Sequence, residues 1–169
     1  MSRARVFLIY WLPVVVWMAV IFSASGDTDS FNRSSRIIGP ILDILLPGLS
    51  DRARDQLVFI ARKGAHVTEY AILALLFWRA LQRPAKGDHR WSWKAAGWTV
   101  AFVALYATTD ELHQQFVPSR YGSPMDVLID TIGGGIGLAL LRGIYWWRDR
   151  RRGGTETRSV DQPSSQSLP

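Results

Sequence analysis

The chain contains no cysteine, which excludes a disulfide framework, a thiolate zinc site and a cysteine nucleophile. It lacks internal repeats, and it lacks the lysine-arginine and Ser-Gly-His pattern of lipid phosphatases. Above all it lacks charge over long stretches. Twenty-one residues between Arg5 and Asp27 carry no Asp, Glu, Lys or Arg; fifteen do so between Lys94 and Asp110, eleven between Asp130 and Arg142, and nine between Glu69 and Arg79. Averages hide this segregation, because over 169 residues the hydrophobic share is 48% and the mean hydropathy only +0.04. The end of the chain, GGTETRSVDQPSSQSLP from Gly153, has too few apolar side chains to build a core, so residues 149–169 are expected to form a disordered cytoplasmic tail.

What the sequence does have is eight tryptophans crowded at the ends of the uncharged runs. Aromatic belts and basic loops mark a multi-span membrane protein, and they make the net charge of +6 a topology signal rather than a nucleic-acid footprint. A hydrocarbon core of about 30 Å needs roughly 20 helical residues. The expected fold is therefore all-α: a polytopic membrane domain over residues 1–148, with four transmembrane helices at about 6–23, 65–81, 95–116 and 125–147. The first run has no polar face to offer water, which argues against a soluble bundle. Its Ser23-Ala24-Ser25 exit also fits a cleavable signal peptide, but Trp11 and Trp17 within it suit a retained span. Ile37 to Leu49 is apolar, too short to span, and interrupted by Pro40 and Pro47. It is expected to lie in the interface or dip in as a re-entrant element.

Lysine and arginine set the orientation. Arg3 and Arg5, the loop with Arg79, Arg83, Lys86, Arg90 and Lys94, and the tail with Arg148, Arg150, Arg151 and Arg152 all belong inside. Residues 24–64 and 117–125 are then outside, although the first of these holds six basic residues against five aspartates.

In that frame the ionisable residues of the weaker spans gather at the outer end. Lys63, His66, Glu69 and Tyr70 share a helical face about 120° wide. Asp110, His113 and Gln114 share an arc with Tyr106, flanked by Glu111. Asp126 and Asp130 fall on the face of Gly133 and Gly137, a GxxxG pair that admits a close helix. Arg142 can snorkel to the opposite surface and needs no function. Singly, each residue reads as a helix-end charge or local pair. Their convergence points to a site.

The strings Lys63-Gly-Ala-His66-Val-Thr-Glu69-Tyr70, Asp110-Glu111-Leu-His113-Gln114-Gln-Phe116-Val-Pro118-Ser-Arg120 and Asp126-Val-Leu-Ile-Asp130-Thr-Ile-Gly133 resemble the VanZ-like family of small bacterial membrane proteins. Trp17 and the Ile21-Phe22-Ser23 exit suit it too, so the resemblance covers about residues 10–141. It implies a multi-pass protein of the bacterial cytoplasmic membrane, associated with resistance to the glycopeptide teicoplanin. It also marks Lys63, His66, Glu69, Asp110, Glu111, His113, Gln114, Arg120 and Asp126 as signature positions. Asp130 departs from it, since an Asn is common there.

Three readings are open to such a cluster. As an enzyme on an envelope lipid or lipid-linked cell-wall precursor, it would use His66, Glu69, Asp110, Glu111 and His113 as catalytic residues, for instance His113 as a base oriented by Asp110. Lys63, Gln114, Arg120 and Asp126 would then hold the substrate. His66, Glu69, His113 and Asp126 are candidate ligands for a divalent metal. Without chemistry, the same cup would bind a headgroup or precursor, or serve as a buried network fixing helix register. Reporter fusions after Arg83 and Arg152 should read inside and one after Gly122 outside; an outside reading at Arg83 would overturn the placement.

Overall fold

The structure, a computed structural model, describes residues 2–26, 30–82, 91–117 and 122–160, with side chains for all of these but 30–35 and 152–160. The described residues form five helices: α1 (Arg3–Ser25), α2 (Ser30–Leu45), α3 (Asp51–Gln82), α4 (Trp93–Gln114) and α5 (Pro124–Val160). The all-helical expectation holds. Of the described helices, α1 and the Pro124–Arg151 part of α5 are long and apolar enough to cross a membrane. Ionisable residues interrupt α3 and α4.

Pro13 shapes α1. It has no N–H to donate, and the preceding turn, Phe7–Trp11, is π-helical. The carbonyl of Ile9, which Pro13 cannot serve, instead accepts from the Arg79 guanidinium of α3 at 2.9 Å. That guanidinium also stands over the Tyr10 ring. Farther along, Trp17 donates its indole N–H to the Glu69 carbonyl at 2.9 Å, and the Tyr106 hydroxyl donates to the Met18 carbonyl at 2.6 Å. Three polar tethers thus hold α1 to α3 and α4. Most of its remaining surface, including Phe7, Leu8, Val15, Val16 and Val20, is exposed, as expected for a helix apolar on every side.

The tightest packing joins α3 to α5. A Cβ on Gly133 or Gly137 would lie 2.7 Å from the carbonyl oxygen of Val67 or Ala71 respectively. Both pairs are four residues apart, so one ridge of α5 lies directly on one ridge of α3. Tyr70, Leu73, Ala74 and Phe77 of α3, Val103 and Ala107 of α4, and Leu138 of α5 form the apolar core beside this contact.

Two segments differ from the sequence reading. Pro40 does not interrupt the chain but sits inside α2, which exposes Ile37, Ile41, Ile44 and Leu45 and is tied to α3 by an Asp43–Arg54 ion pair. The turn comes at Gly48, whose φ of 94° a residue with a Cβ rarely adopts. At the other end α5 runs on to Val160, into the segment assigned to the tail. Arg150 and Arg151 stack on Trp146 and Trp147, one helical turn back. Residues 161–169 lie outside the described residues.

The Gly137–Ala71 contact gives a direct check. Gly137→Ala should cost about 1–3 kcal/mol of stability by overpacking, whereas Gly143→Ala, with nothing within 4 Å of its new methyl, should be neutral or stabilising. Thermal melts of the detergent-purified variants measure both.

Candidate functional site

The end of α1, the middle of α3, the end of α4 and the start of α5 meet around three carboxylates that are almost wholly out of solvent: Asp110 is 1% exposed, Glu111 4% and Asp130 2%. Burial of such groups is costly unless donors surround them. Asp110 has three. The hydroxyl of Ser25, the last residue of α1, donates to its Oδ1 at 2.5 Å. The Tyr70 hydroxyl of α3 and the Gln114 amide of α4 donate to its Oδ2 at 3.4 and 3.2 Å. The same Gln114 amide reaches Glu111 Oε1 at 3.3 Å, and the backbone N–H of Ser123 donates to Glu111 Oε2 at 2.8 Å. Glu111 thereby fixes the start of α5, where Pro124 occupies the first turn and its missing N–H costs nothing. Gly122 is needed for this approach, because a Cβ there would fall 2.2 Å from the Glu111 carbonyl oxygen.

Asp130 is different. Its Oδ1 stands 3.9 Å from His66 Nδ1, while its Oδ2 is buried without a hydrogen-bond partner among the described residues. Among the described residues the carboxylates of Glu111, Asp110 and Asp126 lie near it, with Lys63 as a nearby cation. Above it lies a rim whose side chains are 24–28% exposed. Lys63 pairs with Asp126 at 2.5 Å, and His66 Nδ1 is 4.0 Å from Glu69. The cluster therefore has a closed lower tier, in which Asp110, Glu111 and Gln114 satisfy one another. Its open upper tier comprises Lys63, His66, Glu69 and Asp126, with Asp130 as the floor between the two.

The structure joins Lys63 with Asp126, His66 with Glu69, and Asp110 with Glu111 through Gln114. His113 takes no part in these pairs among the described residues. Its ring stacks on Phe22 with centroids 4.0 Å apart, and its Nε2 lies against Gly26. The oxygens of Asp110 are taken up by Ser25, Tyr70 and Gln114, so the dyad of His113 as base and Asp110 as orienter is not formed. Arg120 lies outside the described residues. Among the described residues no three His, Asp or Glu stand together as a set of metal ligands, His66, Glu69, His113 and Asp126 included. The candidate set drawn from sequence omitted Ser25, Tyr70 and Asp130. Ser25 read as part of a cleavage site, Tyr70 only as a member of the Lys63 face, and Asp130 as a departure from a pattern.

The family model for VanZ/LLP1 matches residues 7–147. The chain belongs to the VanZ/LLP1 family. No curated protein and no solved structure matches it. Together with the two long apolar helices, the family marks a membrane protein. In this VanZ/LLP1 protein the residues that surround the carboxylates, from Ser25 to Asp130, all lie inside the matched region.

Asp130 yields an expectation of unusual sign. Asp130→Asn replaces a buried ionisable group among three other carboxylates with a neutral amide that always carries a donor. It should therefore stabilise the fold, recovering part of the roughly 1–3 kcal/mol that an unsatisfied buried group costs. A melting temperature unchanged or lowered would mean that Asp130 has a compensating partner.

Proposed function

We propose that this protein is a four-span protein of the bacterial cytoplasmic membrane, with both termini cytoplasmic, whose upper tier binds the polar headgroup of an envelope lipid or lipid-linked cell-wall precursor. The observation that carries this reading is the division of the cluster. A purely structural network would be saturated throughout, yet saturation stops at Asp130, whose free oxygen lies under a partly exposed rim. Polar groups kept at such a position in a membrane bundle are expensive, and a ligand is what offsets them.

The chemistry of the rim narrows the ligand. Its one lysine is already paired with Asp126, and acceptors outnumber donors, so the tier favours hydroxyls, amides and an ammonium over a bare phosphate. Sugar and peptide portions of cell-wall precursors, and amine-bearing lipid headgroups, meet that description. Among the described residues the rim offers carboxylates, a lysine and the His66 imidazole beside Glu69 and Asp130, a set that suffices to bind a polar headgroup without bond cleavage. The structural alternative is favoured by one observation, the full saturation of Asp110, and it describes the lower tier.

With this placement, α2 lies in the interface with its exposed isoleucines toward lipid. The family links the protein to glycopeptide tolerance. Expression in a susceptible host should lower sensitivity to teicoplanin-like drugs, whose acyl tail enters the outer leaflet, more than to vancomycin-like ones. His66→Gln and Lys63→Gln should abolish that protection with the protein still in the membrane, whereas His113→Gln, at the Phe22 stack, should retain it. Full protection by the rim variants would leave the cluster as a packing device.

A further inference from the structure

About 20 Å along α4 from Asp110, at 1.5 Å per residue, lies a groove of different character. It has a volume of about 510 Å³, within the range of small-molecule sites, and runs between Trp93, Gly97 and Val100 of α4 and Gly135, Ala139 and Arg142 of α5. Gly97 and Gly135 make it: a Cβ at either would meet nothing within 4 Å, so their missing side chains open space instead of admitting a neighbouring helix. The walls are apolar except at one end. There the Arg142 guanidinium stands 5.8 Å from the ring centroid of Trp91. Among the described residues no carboxylate lies within ion-pair distance of it. The Trp91 indole N–H is also buried without a hydrogen-bond partner among the described residues. A long apolar slot that ends at a cation with no ion-pair partner among the described residues, beside interface-type tryptophans, matches an amphiphile with an anionic head.

We propose that this groove is a phospholipid site, in which an acyl chain of an anionic glycerophospholipid lies between α4 and α5 and its phosphate pairs with Arg142. Charge complementarity selects this occupant. In a zwitterionic lipid the phosphate brings its own ammonium and no net charge to the guanidinium, and a soluble anion leaves some 10 Å of apolar slot, two helical turns, unfilled. The pairing is charge-assisted and can be bidentate. The site rests on the membrane placement proposed above but not on the ligand of the polar rim, from which it is separated along the bundle. It would hold α4 against α5 at the end opposite the carboxylates.

The test is a titration of the detergent-purified full chain with phosphatidylglycerol and with phosphatidylcholine of the same acyl chains, read by native mass spectrometry. The parent should retain phosphatidylglycerol selectively. Arg142→Gln should lose the selectivity, with about tenfold or greater weakening. Gly135→Leu and, independently, Gly97→Leu should fill the slot and weaken both lipids while melting as the parent does. His66→Gln should bind phosphatidylglycerol like the parent, which separates failure at the rim from failure here. Equal retention of the two lipids by the parent, selectivity that survives Arg142→Gln, or unchanged binding in both leucine variants would overturn the proposal.

Discussion

The structure depends on the solvation of one buried carboxylate. Asp110 cannot stay charged inside a bundle unless donors replace water, and its donors come from three separate helices: Ser25 from α1, Tyr70 from α3 and Gln114 from its own α4. Satisfying Asp110 therefore fixes where α1 ends relative to α3 and α4. Gln114 passes the constraint to Glu111, and Glu111 passes it through the Ser123 N–H to the first turn of α5. Four helices are registered by a chain of hydrogen bonds that begins at one side chain. The glycine ridge on α5 then sets only how closely the registered helices approach.

This order of causes explains why one end of the bundle is polar and the other apolar. At the carboxylate end, specificity comes from directional bonds, and the bonding stops at Asp130, whose Oδ2 has no hydrogen-bond partner among the described residues. At the Trp91 and Arg142 end, helices are held by aromatic packing, with Trp78, Trp91 and Tyr145 in mutual contact, and the space left by two glycines is apolar. A membrane protein has no hydrophobic drive to pull apolar helices together, so a polar lock at one end and close packing along α3 and α5 are the available means.

Much of this was legible in the sequence, for identifiable reasons. Charge-free runs and helical periodicity revealed the all-α architecture, and the Gly133 and Gly137 spacing foretold a close approach. Shared helical faces put Lys63, His66, Glu69, Asp110 and Asp126 at one end. Face arithmetic ends, however, at the helix surface. It groups His113 with Asp110 but cannot tell that the imidazole turns to Phe22 on α1, and it cannot find Ser25, a small residue whose role exists only across an interhelical gap. The extents of α2 and α5 were missed because proline and polarity were read as breaks. Pro40 costs little where the neighbouring Arg36 is exposed, and cation–π pairs at i, i+4 carry α5 past Trp147.

The central claim is that Asp110 is bonded across helices rather than merely buried. A double-mutant cycle on Ser25→Ala and Asp110→Asn, read as unfolding free energy in detergent or bicelles, tests it most directly. Contacting residues in one network should couple by about 0.5–3 kcal/mol, with the double variant less destabilised than the sum of the two single ones. Strictly additive losses would show that the two side chains do not depend on each other, and the account of how this bundle is registered would be wrong.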